Sequence, residues 1–178
     1  MNASLAAATP LLLWQELAPA EAAQELLACC GCTRWASTLV AQRPFEDSPH
    51  LLHASANLWF LMDEADWLEA FACHPRIGER KTEANVGFLM HSSAEQAAAR
   101  ATLERVADAL AEANRVYEDR FGFLYLISAN GRTAPEMLAI LEHRLTRDRG
   151  TELHEAARQQ HLITDRRMRL WLELGVER

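Results

Sequence analysis

Apolar residues recur at every third or fourth position along almost the whole chain, and the β-branched alternation of half-buried strands is nearly absent. That period predicts helices, with glycine and proline marking where each one stops. "PAEAAQELLACCG" runs to Gly31, and "TRWASTLVAQ" runs up to the break at Pro44. A helix is predicted over roughly 49–62, and the next, "EADWLEAFAC", leads directly into His74 and Pro75. Beyond the polar turn "IGERKTEANVG" lies the longest segment, about 93–120, rich in alanine and closed by Gly122 as a C-cap. "FLYLIS", at 123–128, fits either a short strand or an extended link, because an unbroken apolar run carries no period. Thr133 and Glu136 form a T-x-x-E capping box, with Pro135 in the first turn of a helix to about Leu145. A final helix is predicted from about 151 to 174, ending at Gly175. With no repeat, low-complexity tract or long linker, the expectation is an all-α, single-domain helical bundle of about seven to nine helices spanning 1–178.

Composition narrows the function more than the fold. Hydrophobic residues make up 49% and charged residues 24% of 178, the balance of a folded globular chain. A formal charge of -7 gives a nucleic-acid partner no electrostatic support, whereas a small anion needs only a local pair of arginines. The apolar start "MNASLAAATPLLLW" lacks the basic n-region of a secretory leader, since the first cationic side chain is Arg34. No apolar run approaches the roughly 18 residues of a membrane span, so the cytoplasm is the expected location. Of four cysteines, three fall together as "CCGC" at 29, 30 and 32, and no second cluster follows them. Buried or half-buried thiols are expected there, with no disulfide framework and no metal site.

Three places concentrate possible chemistry. His74 precedes Pro75, which pushes it out of the helical region at the end of an apolar helix. It serves either the helix dipole or a reaction. Ser92 and Glu95 make an S-x-x-E capping box followed by Gln96; this is a helix start that also offers N–H groups to an anion. Near the C-terminus, Arg167 lies four residues after Ile163 and four before Trp171, on or beside the apolar stripe. An arginine there requires a partner: Glu95, another carboxylate or a bound anion. Arg169 stands two residues on.

Together with "RPF" at 43–45, "RFGF" at 120–123 and "GR" at 131–132, these pieces resemble the 2-oxo-4-hydroxy-4-carboxy-5-ureidoimidazoline (OHCU) decarboxylase family of urate degradation. The resemblance runs from Trp35 to about Leu172 and implies an all-α, homodimeric enzyme without a cofactor. It makes His74, Glu95 and Arg167 catalytic. Pro75, Ser92 and Gln96 become substrate neighbours, and the segment Tyr125, Leu126, Ile127, Ser128 and Ala129 supplies backbone contacts. Where members commonly continue with an acidic residue after histidine-proline, this chain has Arg76. The implied substrate is a small ureidoimidazoline and the implied product (S)-allantoin. Two other readings stand beside it: a hydrolase of a related ureide, and a non-enzymatic helical interaction module whose polar residues are caps and interface ion pairs.

Overall fold

Glycine, proline and short polar caps divide the chain much as its period predicts. The computed structural model describes residues 9–76, 93–129 and 131–174, the side chains at 93–102 and 174 excepted. Eight helices occur among them: α1 (Pro10–Gln15), α2 (Pro19–Cys29), α3 (Thr33–Ala41), α4 (Ser48–Trp59), α5 (Glu64–Ala72), α6 (Ser93–Phe121), α7 (Ala134–Arg144) and α8 (Arg149–Leu174). The architecture is all-α. No helix among the described residues is long and apolar enough to cross a membrane. Contacts gather into two compact units, Met1–Cys73 with Ala157–Arg178, and His74–Ala156, so α8 contributes its first turns to one and the remainder to the other.

The first unit holds all five tryptophans. Four of them donate their ring N–H to a carbonyl: Trp14 to Ala22, Trp35 to Ser55, Trp59 to Ala157 and Trp67 to Trp59, at 2.8–3.2 Å. Each indole thus fills the core while its one polar atom stays satisfied. Trp35, Leu39, Leu51, Phe71 and Met168 are fully buried here, and α3 packs on α2, α4 and α5. The "RPF" arginine has a structural task. Arg43 Nη1 donates to the carbonyls of Trp14, Gln15 and Leu17 at 3.0–3.2 Å and its guanidinium lies 5.3 Å from the Trp14 ring centre, so it closes the C-terminal end of α1.

Helix starts follow capping chemistry. Thr9 Oγ1 accepts from Leu12 N with Pro10 in the first turn of α1, an element the apolar pattern alone does not separate from its flanks. Asp63 and Asp66 form a reciprocal box at α5, and Arg34 reaches both carboxylates at 2.9 and 2.8 Å. The Thr133–Glu136 box of α7 is present in both directions. In the second unit α6 packs on α7, and Gly122 ends α6 at φ 81°, a conformation that disfavours any side chain. "FLYLIS" is an extended link and joins no ladder among the described residues. Its residues Tyr125, Leu126 and Ile127 are buried in succession, which is why no period distinguishes it.

Candidate active site

His74 follows the C-cap of α5, Cys73, whose N–H bonds back to Ala70 and Phe71. It is half-buried and opens the second unit, with Pro75 and Arg76 exposed after it. Arg76, the departure from the expected acidic continuation, carries its own counter-charge. Its Nε and Nη2 donate to the two carboxylate oxygens of Glu118 on α6 at 2.8 and 2.9 Å. This two-pronged pairing neutralises the cation beside His74 in sequence.

Ser92 lies outside the described residues, so its half of the S-x-x-E box does too. Glu95 and Gln96 sit in the first turn of α6, where the macrodipole favours a carboxylate; their side chains lie outside the described set. Arg167 belongs to the first unit. Among the described residues its partner is a main-chain group: Nη1 donates to the carbonyl of Cys29, the last residue of α2, at 3.2 Å. That residue's carbonyl lacks a helical partner, and a cation near a helix C-terminus is favoured by the same dipole. Arg169 instead pairs with Asp165 one turn earlier, at 2.8 and 3.1 Å on an exposed face.

The segment Tyr125–Ala129 turns its first three side chains into the core, leaving the main chain as its chemical face. Arg144 Nη1 donates to the Leu126 carbonyl at 2.7 Å, and Arg132 binds the far end through Nη1 to the Ser128 carbonyl and N–H to that of Ala129. Arg144 is 1% exposed and is paired with the fully buried Glu152 through Nε and Nη2, at 2.7 and 2.5 Å. Tyr117 donates its hydroxyl to the same Glu152 oxygen. Burial works against the Arg144 cation, but the hydrogen bond to Glu152, with the electrostatic pull of Tyr117, Glu152 and Tyr125, outweighs it and holds its pKa above the ordinary value. Burial also pushes the Tyr125 phenol up to about 12, so it remains a neutral donor, to Met137 O at 3.2 Å. This cluster escapes a sequence reading that searches for polar motifs. Its signal was Arg144 three residues after Leu141 and Glu152 beside Leu153 and Ala156, charges on apolar stripes.

Cys29 and Cys32 stand at C-x-x-C spacing and serve different elements. Cys29 ends α2, while Cys32 Sγ accepts from Trp35 N as the N-cap of α3. Cys32, Asp66 and Glu69 are the group of potential metal ligands that converges among the described residues, with their ligand atoms within 4.8 Å of one another. Each is already engaged: Asp66 with Arg34 and the α5 cap, Glu69 with the N–H and hydroxyl of Thr33 at 3.2 and 2.6 Å. Burial raises the Cys32 thiol to about 11, with Asp66 and Glu69 adding to it, so at neutral pH it is protonated and a poor ligand.

Comparison with known proteins decides the family. The OHCU decarboxylase family profile matches residues 15–169. The chain belongs to the OHCU decarboxylase family. A crystal structure of OHCU decarboxylase in the presence of (S)-allantoin is 33% identical, with a TM-score of 0.68 over 84% of this chain and 97% of that one. A crystal structure of (S)-allantoin synthase shares the fold, at 19% identity and a TM-score of 0.66 over 90% of this chain and 53% of that one. The uric acid degradation bifunctional protein TTL of Arabidopsis thaliana is 38% identical over 143 residues, which cover 79% of this chain but 44% of that protein. This chain therefore spans less than half the length of that relative. The stretch matched to the OHCU decarboxylase family includes His74, Glu95 and the whole segment Tyr125–Ala129, and takes in both Arg167 and Arg169.

Proposed function

We propose that this chain catalyses the cofactor-independent decarboxylation of 2-oxo-4-hydroxy-4-carboxy-5-ureidoimidazoline to (S)-allantoin and carbon dioxide in urate degradation. The family match over residues 15–169 carries this reading, and the extended segment that offers its main chain supports it. In the substrate, the carbon bearing the carboxylate also bears a hydroxyl and adjoins an imine carbon. When the bond to the carboxylate breaks, its electron pair forms a carbon–carbon double bond and the imine nitrogen takes up a proton. The hydroxyl then gives up its proton as the carbonyl forms, and the former imine carbon gains one on a single face. The substrate is its own electron sink, so the protein supplies placement and protons.

His74 takes the proton-handling role, because imidazole changes charge near neutral pH. Glu95 orients it or the substrate hydroxyl, and Arg167 grips the anionic edge with parallel hydrogen bonds that lysine cannot copy. Ser92, Gln96 and Pro75 border the ring, and the main chain of Tyr125–Ala129 binds the ureide. The whole chain acts as one catalytic domain, in the cytoplasm and as a homodimer. Exposed Phe60, Leu61 and Leu162 offer apolar surface for association. The test is to supply freshly generated substrate and follow carbon dioxide together with the optical activity of the product. Carbon dioxide with (S)-allantoin is expected; ammonia or an opened ring in its place would establish a hydrolase.

A further inference from the structure

Buried charge is costly, and the second unit spends a complete ion pair beneath one short link. We infer that Arg144, braced by Glu152 and Tyr117, is a positioning residue that fixes the peptide plane between Leu126 and Ile127 and so aims the Ile127 N–H at the substrate. The inference rests on the decarboxylase reading and deepens it.

The geometry has three parts. First, Arg144 sits in one orientation: Nε and Nη2 engage Glu152, and the guanidinium lies 4.8 Å from the Tyr125 ring centre and 5.8 Å from that of Tyr117. A planar fork held on two edges has one remaining direction for Nη1, and there it meets the Leu126 carbonyl at 2.7 Å. Second, the Leu126–Ile127 peptide is trans, so its N–H points opposite to its carbonyl. Holding the carbonyl against Arg144 turns the Ile127 N–H away from that side chain, and among the described residues none accepts from it. Third, the brace is asymmetric. Glu152 Oε1 receives Arg144 and Tyr117, whereas its Oε2 makes no hydrogen bond among the described residues and lies 3.6 Å from Arg147 Nη1. A pair retained for stability alone is a weak device, because apolar replacement of buried ion pairs often costs nothing. Orientation of a main-chain donor is a task that apolar residues cannot perform.

Two variants of the full chain test this. Tyr117→Phe/Arg144→Met/Glu152→Leu replaces the polar cluster with side chains of similar volume. Helicity and melting should persist, while amide exchange across 125–129 should accelerate at least about tenfold, as expected when a buried hydrogen bond is removed. KM for the ureidoimidazoline should rise about tenfold with kcat within roughly threefold, because the segment contacts ground and transition states alike. A folded triple variant with wild-type exchange and wild-type KM overturns the inference. Should it fail to fold, Arg144→Lys decides: the ammonium keeps the counter-charge for Glu152 but lacks the planar fork that fixes the direction of the bond to the Leu126 carbonyl. A raised KM at unchanged melting supports the inference, and an unchanged KM overturns it. If the wild-type chain itself turns over no ureidoimidazoline, the decarboxylase reading falls, and aiming of Ile127 at that substrate falls with it. Amide exchange still separates the two failures, since accelerated exchange in the variants shows that Arg144 fixes the link whatever the chain binds.

Discussion

Gly31, in the α2–α3 turn, packs directly against Cys73 at the end of α5, and replacing it with alanine tests both the packing and the role proposed for His74. A Cβ at Gly31 would stand 2.3 Å from Cys73 Sγ and 2.6 Å from Cys73 Cβ. The thiol sulfur escapes by rotation. Cβ has no such freedom, because it is fixed to the backbone of the α5 C-cap, and it lies about 0.8 Å inside an ordinary 3.4 Å contact. One backbone must move, and overpacking of this kind costs about 1–3 kcal/mol. For a chain of this size that lowers Tm by roughly 2–4 °C per kcal/mol. Cys73 is bonded to His74, and a displacement of about 1 Å at a catalytic group costs on the order of 100-fold in rate. Gly31→Ala should therefore melt earlier by tryptophan fluorescence, since every tryptophan is in that unit, and should lose between about tenfold and 100-fold in kcat. Cys73→Gly removes both obstructing atoms, so the double variant should recover much of each loss as a positive coupling in a double-mutant cycle. A single variant that melts within about 1 °C of wild type, or a double variant no better than the single, would refute the reasoning.

Three further outcomes are expected. His74→Asn should keep the helical fold and bind (S)-allantoin while losing most turnover, measured by optical activity, because asparagine cannot change protonation near neutral pH. Exhaustive chelation should leave decarboxylation unchanged, since the electron sink is in the substrate; recovery of lost activity on adding zinc would count against the mechanism. Asp63, Glu136 and Asp148 all have carboxyls held below their ordinary 3.8, 4.5 and 3.8, Asp63 by the Asp66 N–H, Glu136 by the Thr133 N–H and Asp148 by the Thr151 hydroxyl. The unfolded chain then takes up protons first as pH falls, so the caps' contribution is complete above about 4.5 and declines below it through the lowered folded values. Melting followed from pH 6 to pH 3 should show a smaller drop for Glu136→Gln than for wild type.

Helix punctuation was legible because it is local. Gly31, Pro44, Gly122 and the Thr133–Glu136 box each act within a few residues, and each boundary falls within about two residues of the position they predict. α1 was missed although Thr9 and Pro10 announce it, because its six residues are too short to display a period. The Asp63–Asp66 box was missed because aspartate replaces the usual glutamate at its third position. For the site, motif order identified the family, but spacing along a chain says nothing of what lies beneath a segment. The Cys29 carbonyl as partner of Arg167 comes from 138 residues away, and the Arg144–Glu152 brace consists of two charges on apolar stripes. Both depend on tertiary approach that no window of sequence contains.

The division into units has a consequence for synthesis. The second unit is one continuous stretch, His74–Ala156, and all of it is synthesised before α8 is complete. The first unit is interrupted by it. Trp59 cannot give its ring N–H to Ala157, nor can Met168 reach Ser55 or Trp171 meet Trp14, until the last helix emerges. A growing chain therefore holds every residue of the second unit while the first still lacks part of its own, so the N-terminal unit is the later of the two to have its full complement. During that interval the apolar faces of α1 to α5 are what a chaperone or a protease would meet, and the final turns of α8 end it.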